Sequence, residues 1–260
     1  MIPHYKEFAP SPAIAHAVEA FWYFSAPDTT NRTAPLLRHR VLPDGCIDLI
    51  FRFQHSMTEA EITNPFLTVY GPTDCFKLIE IKPLTEFVGV RFKSGEAGSY
   101  LALSPLALFQ QEVKAQECSA HLANLFNQLC ECGSAKQALS ILQKALLESN
   151  AIHAVYETPV RVRQALKLLT ASRGQMRVSD VVELVGVSER TLRRDIVAAV
   201  GLTPKMLLRI LRFQRAHALL HSKEALNLCD IALDSGYADQ AHMGREFQEF
   251  SGLTPIAFVR

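Results

Sequence analysis

Arg190, Arg193 and Arg194 fall within one short stretch, and Gln240, His242 and Arg245 form a second set further along. These side chains suit the edges of nucleic-acid bases. A guanidinium donates two parallel hydrogen bonds to guanine O6 and N7, an amide pairs with adenine, and each good bidentate contact contributes about 1 to 3 kcal/mol of discrimination. Such chemistry needs the side chains on one solvated face of a rigid element, so the surrounding pattern decides whether it is available.

The stretch from Val178 to Pro204 predicts a short helix, a turn and a second helix. Ser179 is the expected cap of the first helix, whose apolar side is Val181, Val182, Leu184 and Val185, and Gly186 supplies the positive φ of a tight turn. Ser188 is the expected cap of the second. There Leu192, Ile196 and Val200 recur four apart and face inward, leaving Arg190, Arg193 and Arg194 on the outer arc.

The same pattern occurs twice. Gly186 recurs as Gly236, and Gly201-Leu202-Thr203-Pro204 recurs letter for letter as Gly252-Leu253-Thr254-Pro255. Between these anchors Ser188 matches Asp239, Leu192 matches Met243, Arg194 matches Arg245 and Ile196 matches Phe247, with Ala238 as one extra residue in the second turn. Asn227 caps a helix through Ile231, Ala232 and Leu233, and a long apolar helix from Pro204 to His221 joins the two units. Two such units on one connector present two helices to successive major-groove segments, about 34 Å apart along one face of the duplex. Stacked hairpins of a helical solenoid are the alternative. They need no capped glycine turn followed by an arginine at the same outward position in both copies.

The block Val185-Gly186-Val187-Ser188, the repeated Gly-Leu-Thr-Pro, the run from Ile231 to His242, Arg245, Phe247 and Phe258 together resemble the DNA-binding domain of the AraC/XylS family of bacterial transcription regulators, over roughly residues 157–260. The resemblance implies base contacts from Arg190, Thr191, Arg193 and Arg194 in one helix and Gln240, Ala241, His242 and Arg245 in the other. It implies a double-stranded DNA operator and RNA polymerase as partners, and activation as the commoner mode. Lys205, Arg209 and Arg212, with the helix N-termini after Thr203 and Thr254, suit phosphates, which set register without reading sequence; for Arg209 and Arg212 a plain solvated face is the equal alternative. Asp195 and Glu246, each directly after an outward arginine, either orient those arginines or repel phosphate.

A chain of 260 residues accommodates more than one core. From Glu157 onward 15 Lys and Arg stand against 11 Asp and Glu, a net +4, while the remainder has 12 against 15, a net −3. That modest asymmetry fits a nucleic-acid module joined to a part with another task. No run of about 18 or more uncharged apolar residues occurs, and residues 1–23 lack the pattern of a secretory signal, so the expected location is the cytoplasm. Cys46, Cys75, Cys118, Cys130, Cys132 and Cys229 are then expected as free thiols.

Residues 35–95 are punctuated by Pro43-Asp44-Gly45, Asn64-Pro65, Gly71-Pro72 and Lys82-Pro83, which separate short apolar runs at 47–53, 66–70, 75–82 and 87–92. This predicts a small antiparallel barrel or sandwich. The segment 14–24 reads as helix or strand. Residues 96–150 read as mostly helical, with the stripes Leu122, Leu125, Phe126, Leu129 and Leu139, Leu142, Leu146, Leu147 either packing on their own domain or pairing with their copies in a homodimer. Residues 149–159 read as a linker, with Thr158 capping a helix that begins at Pro159. The fold class is α+β, with expected divisions at 1–110, 111–156 and 157–260.

Leu42 to Phe51, Tyr70-Gly71-Pro72 and Phe87 to Phe92 resemble a cupin-like β domain found ahead of AraC-type DNA-binding domains. That resemblance implies a sensing or oligomerising role, with Trp22, Tyr70 and Arg91 as candidate lining of a small-molecule effector pocket. No cofactor is expected. His39, Asp44, Cys46 and Asp48 lie near one another, yet no His-x-His or Cys-x-x-Cys pair accompanies them, which disfavours both a metal and a cupin-type enzyme. The chain is expected not to be an enzyme. The competing reading is a DNA-repair type of regulator switched by alkylation or oxidation of Cys46. It requires a thiolate favoured by cations, whereas two aspartates flank this cysteine.

Overall fold

A computed structural model of the chain describes residues 4–26, 36–55, 62–148, 156–222 and 227–259. The expected linker therefore lies outside the described residues over 149–155. The N-terminal half holds strands β1 (His4–Phe8), β2 (Val18–Ser25), β3 (Leu37–Val41), β4 (Ile47–His55), β5 (Ile62–Tyr70), β6 (Lys77–Ile81), β7 (Thr85–Phe92) and β8 (Glu112–Lys114). Six of them form an antiparallel sheet in the order β1-β2-β7-β4-β5-β8, and β3 pairs β6 in a separate antiparallel ribbon.

Alternation along the strands explains the layering. Phe21, Leu49, Phe51, Leu67, Val69, Val88, Val90 and Phe92 point to one face, which is covered by helices α1 (Ala97–Leu101), α2 (Ala115–Cys118), α3 (Ala120–Cys130) and α4 (Ala135–Glu148). The opposite face buries Trp22 and Phe24, with Ile50 and Phe87, against Leu37, Ile79 and Ile81 of the ribbon. Both helical stripes are used internally: Leu122, Leu125, Leu129, Leu142 and Leu146 are buried on the sheet, Phe126 and Leu139 pack beside them, and Leu147 alone is 37% exposed.

The structure decides one open expectation, adds two strands and corrects one helical segment. Segment 14–24 resolves into a turn and β2. Strands β1 and β3 were not legible, being short and largely exposed, with little apolar alternation to report them. The helical segment after residue 96 also contains β8, whose three residues are recruited by the free edge of β5 rather than by their own pattern.

The C-terminal half is helical: α5 (Val160–Ala171), α6 (Val178–Val185), α7 (Glu189–Val200), α8 (Pro204–Leu220), α9 (Leu228–Asp234), α10 (Gln240–Ser251) and α11 (Pro255–Val259). Its core runs through Val162, Ala165, Val181, Leu192, Ile196, Leu207, Ile210, Phe213, Ile231, Met243, Phe247 and Phe250. The rings of Phe213 and Phe247 meet edge to face with centroids 4.9 Å apart, tying the connector α8 to α10.

Candidate nucleic-acid interface

Capping fixes where each outward-facing helix starts. Ser188 Oγ accepts the Thr191 amide at 3.1 Å, and Asp239 Oδ1 accepts the His242 amide at 2.6 Å, so α7 and α10 begin at matched positions of the repeat. Thr203 caps α8 through the Met206 amide and Asn227 caps α9 through the Asp230 amide. The turns before α7 and α10 depend on Gly186 and Gly236, at φ +71° and +84°. Ser179 is not a cap. The α6 helix starts one residue earlier, and Asp180 returns to accept the Arg177 amide at 3.3 Å. Thr158 is likewise not the cap of α5, because its hydroxyl donates to the Gly95 carbonyl of the N-terminal half.

On α7, Arg190, Arg193 and Arg194 are exposed and Thr191 is half-buried, its Oγ1 2.8 Å from Ser188 Oγ. On α10, Gln240, Ala241 and Arg245 are exposed. His242 is half-buried, its ring edge to face with Tyr237 at 5.2 Å and its Nε2 3.7 Å from Glu246. Gln240 Oε1 accepts from the Cys229 thiol at 3.3 Å. The structure thus brings most of the expected base-reading side chains onto two equivalent helix faces.

The two acidic neighbours behave differently from the arginines they follow. Asp195 accepts from Arg194 Nε at 2.9 Å and from Arg161 of α5 at 2.9 and 3.1 Å, so it orients Arg194. Partial desolvation works against its charged form, but the hydrogen bonds from Arg161 and Arg194 outweigh it and hold the carboxyl below its usual range. Glu246 is buried beneath α10, and among the described residues its partners are Arg209 at 2.7 Å, Arg212 at 3.8 Å and His242, not Arg245.

Lys205 is exposed at the N-terminus of α8 and, with Arg193 and Thr203, lines a small cleft of about 180 Å³. Arg209 meets a competing use: its Nε and Nη2 donate to Glu246 and Glu249 at 2.7 and 2.6 Å. Sequence reasoning missed this partnership, because Glu246 was read beside Arg245 rather than across to α8.

The N-terminal half docks on this domain at repeat-equivalent places. Glu96, 7% exposed in its side chain, pairs with Arg163 at 2.7 Å, and the Pro43 carbonyl accepts from Gln214 at 2.6 Å. A side chain at Gly201 would reach within 2.7 Å of the Pro105 carbonyl, and one at Gly252 within 2.5 Å of the Phe76 ring. Arg40 stacks over Phe76 and donates to the Ser251 carbonyl. Leu106, 50% exposed, walls an open cleft of about 740 Å³ whose other side is Glu189, Arg190, Arg193, Arg194, Val197, Ala198 and Thr203.

In the N-terminal sheet, cross-strand register sets Tyr70 opposite Asp48 and Asp48 opposite Arg91, with Trp22 opposite Gly89 in the next row of the same face. Trp22 Nε1 donates to Asp48 at 2.9 Å, and Arg91 lies 3.4 Å from Asp48 and 3.3 Å from Asp44. Burial pushes the Asp48 carboxyl up against the opposing charge of Arg91. Burial and the Asp44 charge push the Cys46 thiol well up. That is the opposite of what a nucleophilic cysteine needs. Among the described residues, no three His, Cys, Asp or Glu gather as a metal site, and no helix is long and apolar enough to cross a membrane.

Residues 181–260 match the family described as a helix-turn-helix domain, and residues 6–114 match a domain of unknown function (DUF6597). None of the curated proteins compared with the chain matches it. Among solved structures, a transcriptional regulator with an AraC-type DNA-binding domain from Chromobacterium violaceum is 26% identical, over 37% of this chain and 86% of its own, with a TM-score of 0.35. The C-terminal domain of AraT, a response regulator from Geobacillus stearothermophilus, is 27% identical over 40% and 86%, with a TM-score of 0.38. ToxT from Vibrio cholerae is 13% identical over 86% and 95%, with a TM-score of 0.43. With its twice-repeated capped turn and outward arginines, the C-terminal region of this chain is a helix-turn-helix domain over residues 181–260.

Proposed function

We propose that this DNA-binding transcription regulator reads two successive major-groove segments, with α7 and α10 as its recognition helices. Arg190, Thr191, Arg193 and Arg194 serve one groove, and Gln240, Ala241, His242 and Arg245 serve the other. The observation that carries the reading is the equivalence of Arg194 and Arg245, both exposed at the same position of identically capped helices. Lys205 and the N-terminus of α8 hold phosphate between the two grooves. The protein acts as an activator that engages RNA polymerase, as in the family its DNA-binding domain resembles.

The N-terminal half controls this reading, as the inter-domain contacts at Arg163, Gln214, Ser251 and Gly252 support. Trp22, Tyr70 and Arg91, on one sheet face, are the proposed lining for a small-molecule effector. No observation favours alkylation at Cys46 as a second reading.

The test is footprinting of full-length protein on its selected operator. Arg194→Ala and Arg245→Ala each weaken binding by about 1 kcal/mol or more and relax base preference in different half-sites. Wild-type footprints from both variants would remove α7 and α10 from the grooves.

A further inference from the structure

The carboxylates that follow the two outward arginines are both turned inward, with side-chain exposures of 11% for Asp195 and 7% for Glu246. Each is met by an arginine from an earlier helix. Arg161 of α5 grips Asp195, and Arg212 of α8 stands 3.8 Å from Glu246. Arg161 and Arg212 are related by the same sequence offset that relates Gly201 to Gly252. Each recognition helix is therefore braced by the corresponding polar strut.

The second strut does more than the first. Arg212 Nη1 donates to the Gly174 carbonyl at 3.2 Å, in the turn that leads into the first helix-turn-helix unit. Its guanidinium also lies 5.8 Å from the ring centroid of Tyr237, in the turn of the second unit. Beside it Gln175 Nε2 donates to the Asp234 carbonyl at 2.8 Å, crossing the same seam. Among the described residues, the buried Arg212 Nε and Ser235 Oγ have no hydrogen-bond partner.

A seam of this kind is a poor source of stability. Burying charge costs desolvation that a well-packed apolar contact would avoid, and unpartnered polar atoms add to the cost. Directional bonds do, however, hold one angle where an apolar seam would allow sliding. Their location is informative, because the seam lies between the two units, and of the residues proposed to touch bases only His242 borders it, through Tyr237 and Glu246.

We propose that Arg212 is a positioning residue that sets the relative orientation of the two recognition helices, and so the spacing at which two half-sites are read. This rests on the tandem reading above. Full-length protein first selects its consensus from a pool of randomised DNA duplexes. The selected half-sites are then placed at the selected spacing and at one base pair shorter and longer. Wild-type protein prefers the selected spacing by about tenfold or more, on the scale of one mismatched base pair. Arg212→Met reduces that preference to about threefold or less while the base preference within each half-site is retained. Gln175→Ala, which removes an exposed donor and leaves the buried core intact, reduces it in the same direction and carries the test if Arg212→Met does not fold. Unchanged spacing preference in the folded variants overturns the role of the seam. Selection of a lone half-site by the wild-type protein overturns the tandem reading itself.

Discussion

Arg194 and Arg245 occupy equivalent positions but not equivalent surroundings. Arg194 is held by Asp195, which Arg161 braces in turn, whereas Arg245 has no carboxylate partner among the described residues. The first is pre-oriented at the cost of a carboxylate beside a proposed base contact; the second is free to adapt. Caps are the other residue-scale determinant. Ser188 bonds both the amide and the hydroxyl of Thr191, so Ser188→Ala removes the cap and loosens a proposed base contact together. The expected loss is about 1 kcal/mol of stability by chemical denaturation. A variant as stable as wild type would show that other contacts fix the start of α7. Such caps were legible because one side chain and one spacing define them. Thr158 was not, because its hydroxyl is used by Gly95, far away in sequence, and no local pattern reports that.

At the scale of elements, the helix-turn-helix units were readable because glycine turns and apolar periodicity are local signals. The sheet was readable where strands are half-buried and alternate, as in β4 and β7, and unreadable at β8, where an existing strand edge decides. The struts were missed for a related reason: Arg161 and Arg212 lie upstream of the units, and their pairing emerges only when the repeat is extended backward to α5 and α8. Helix α8 joins these units and ends in a titratable patch. His217 packs against Phe258 at 5.2 Å and His221 at 4.6 Å. Burial, and then the neighbouring His221, hold its pKa down at about 4. The unfolded chain protonates at about 6.5, so between these values the folded state binds fewer protons than the unfolded one. Stability from this group is fully present above pH 6.5 and is lost as the pH falls towards 4. Thermal melts at pH 7 and pH 5 should therefore differ less for His217→Phe than for wild type. An equal difference in both would assign the pH dependence to other groups.

Across the whole molecule, the N-terminal half does not rest on an arbitrary flank of the DNA-binding domain. It touches Arg163 and Gln214, which correspond under the repeat, and Gly201 and Gly252, which also correspond. One body thus holds both units by equivalent points, and Leu106 stands beside the arginine face of α7. Docking and DNA reading are consequently expected to be linked, because a ligand that binds one arrangement better than another shifts the balance between them. Arg163→Ala leaves the buried Glu96 carboxylate without its counter-ion in the docked arrangement only, a cost of about 3 kcal/mol or less given the partial exposure of Arg163. Undocking removes Leu106 from the cleft over Arg190, Arg193 and Arg194, so the variant should bind the selected operator severalfold more tightly than wild type by fluorescence anisotropy. The gain should shrink with rising salt more slowly than the affinity itself, because it reports the docking equilibrium rather than phosphate contacts. Equal or weaker binding by a folded Arg163→Ala protein would mean that the docked arrangement is the one that reads DNA.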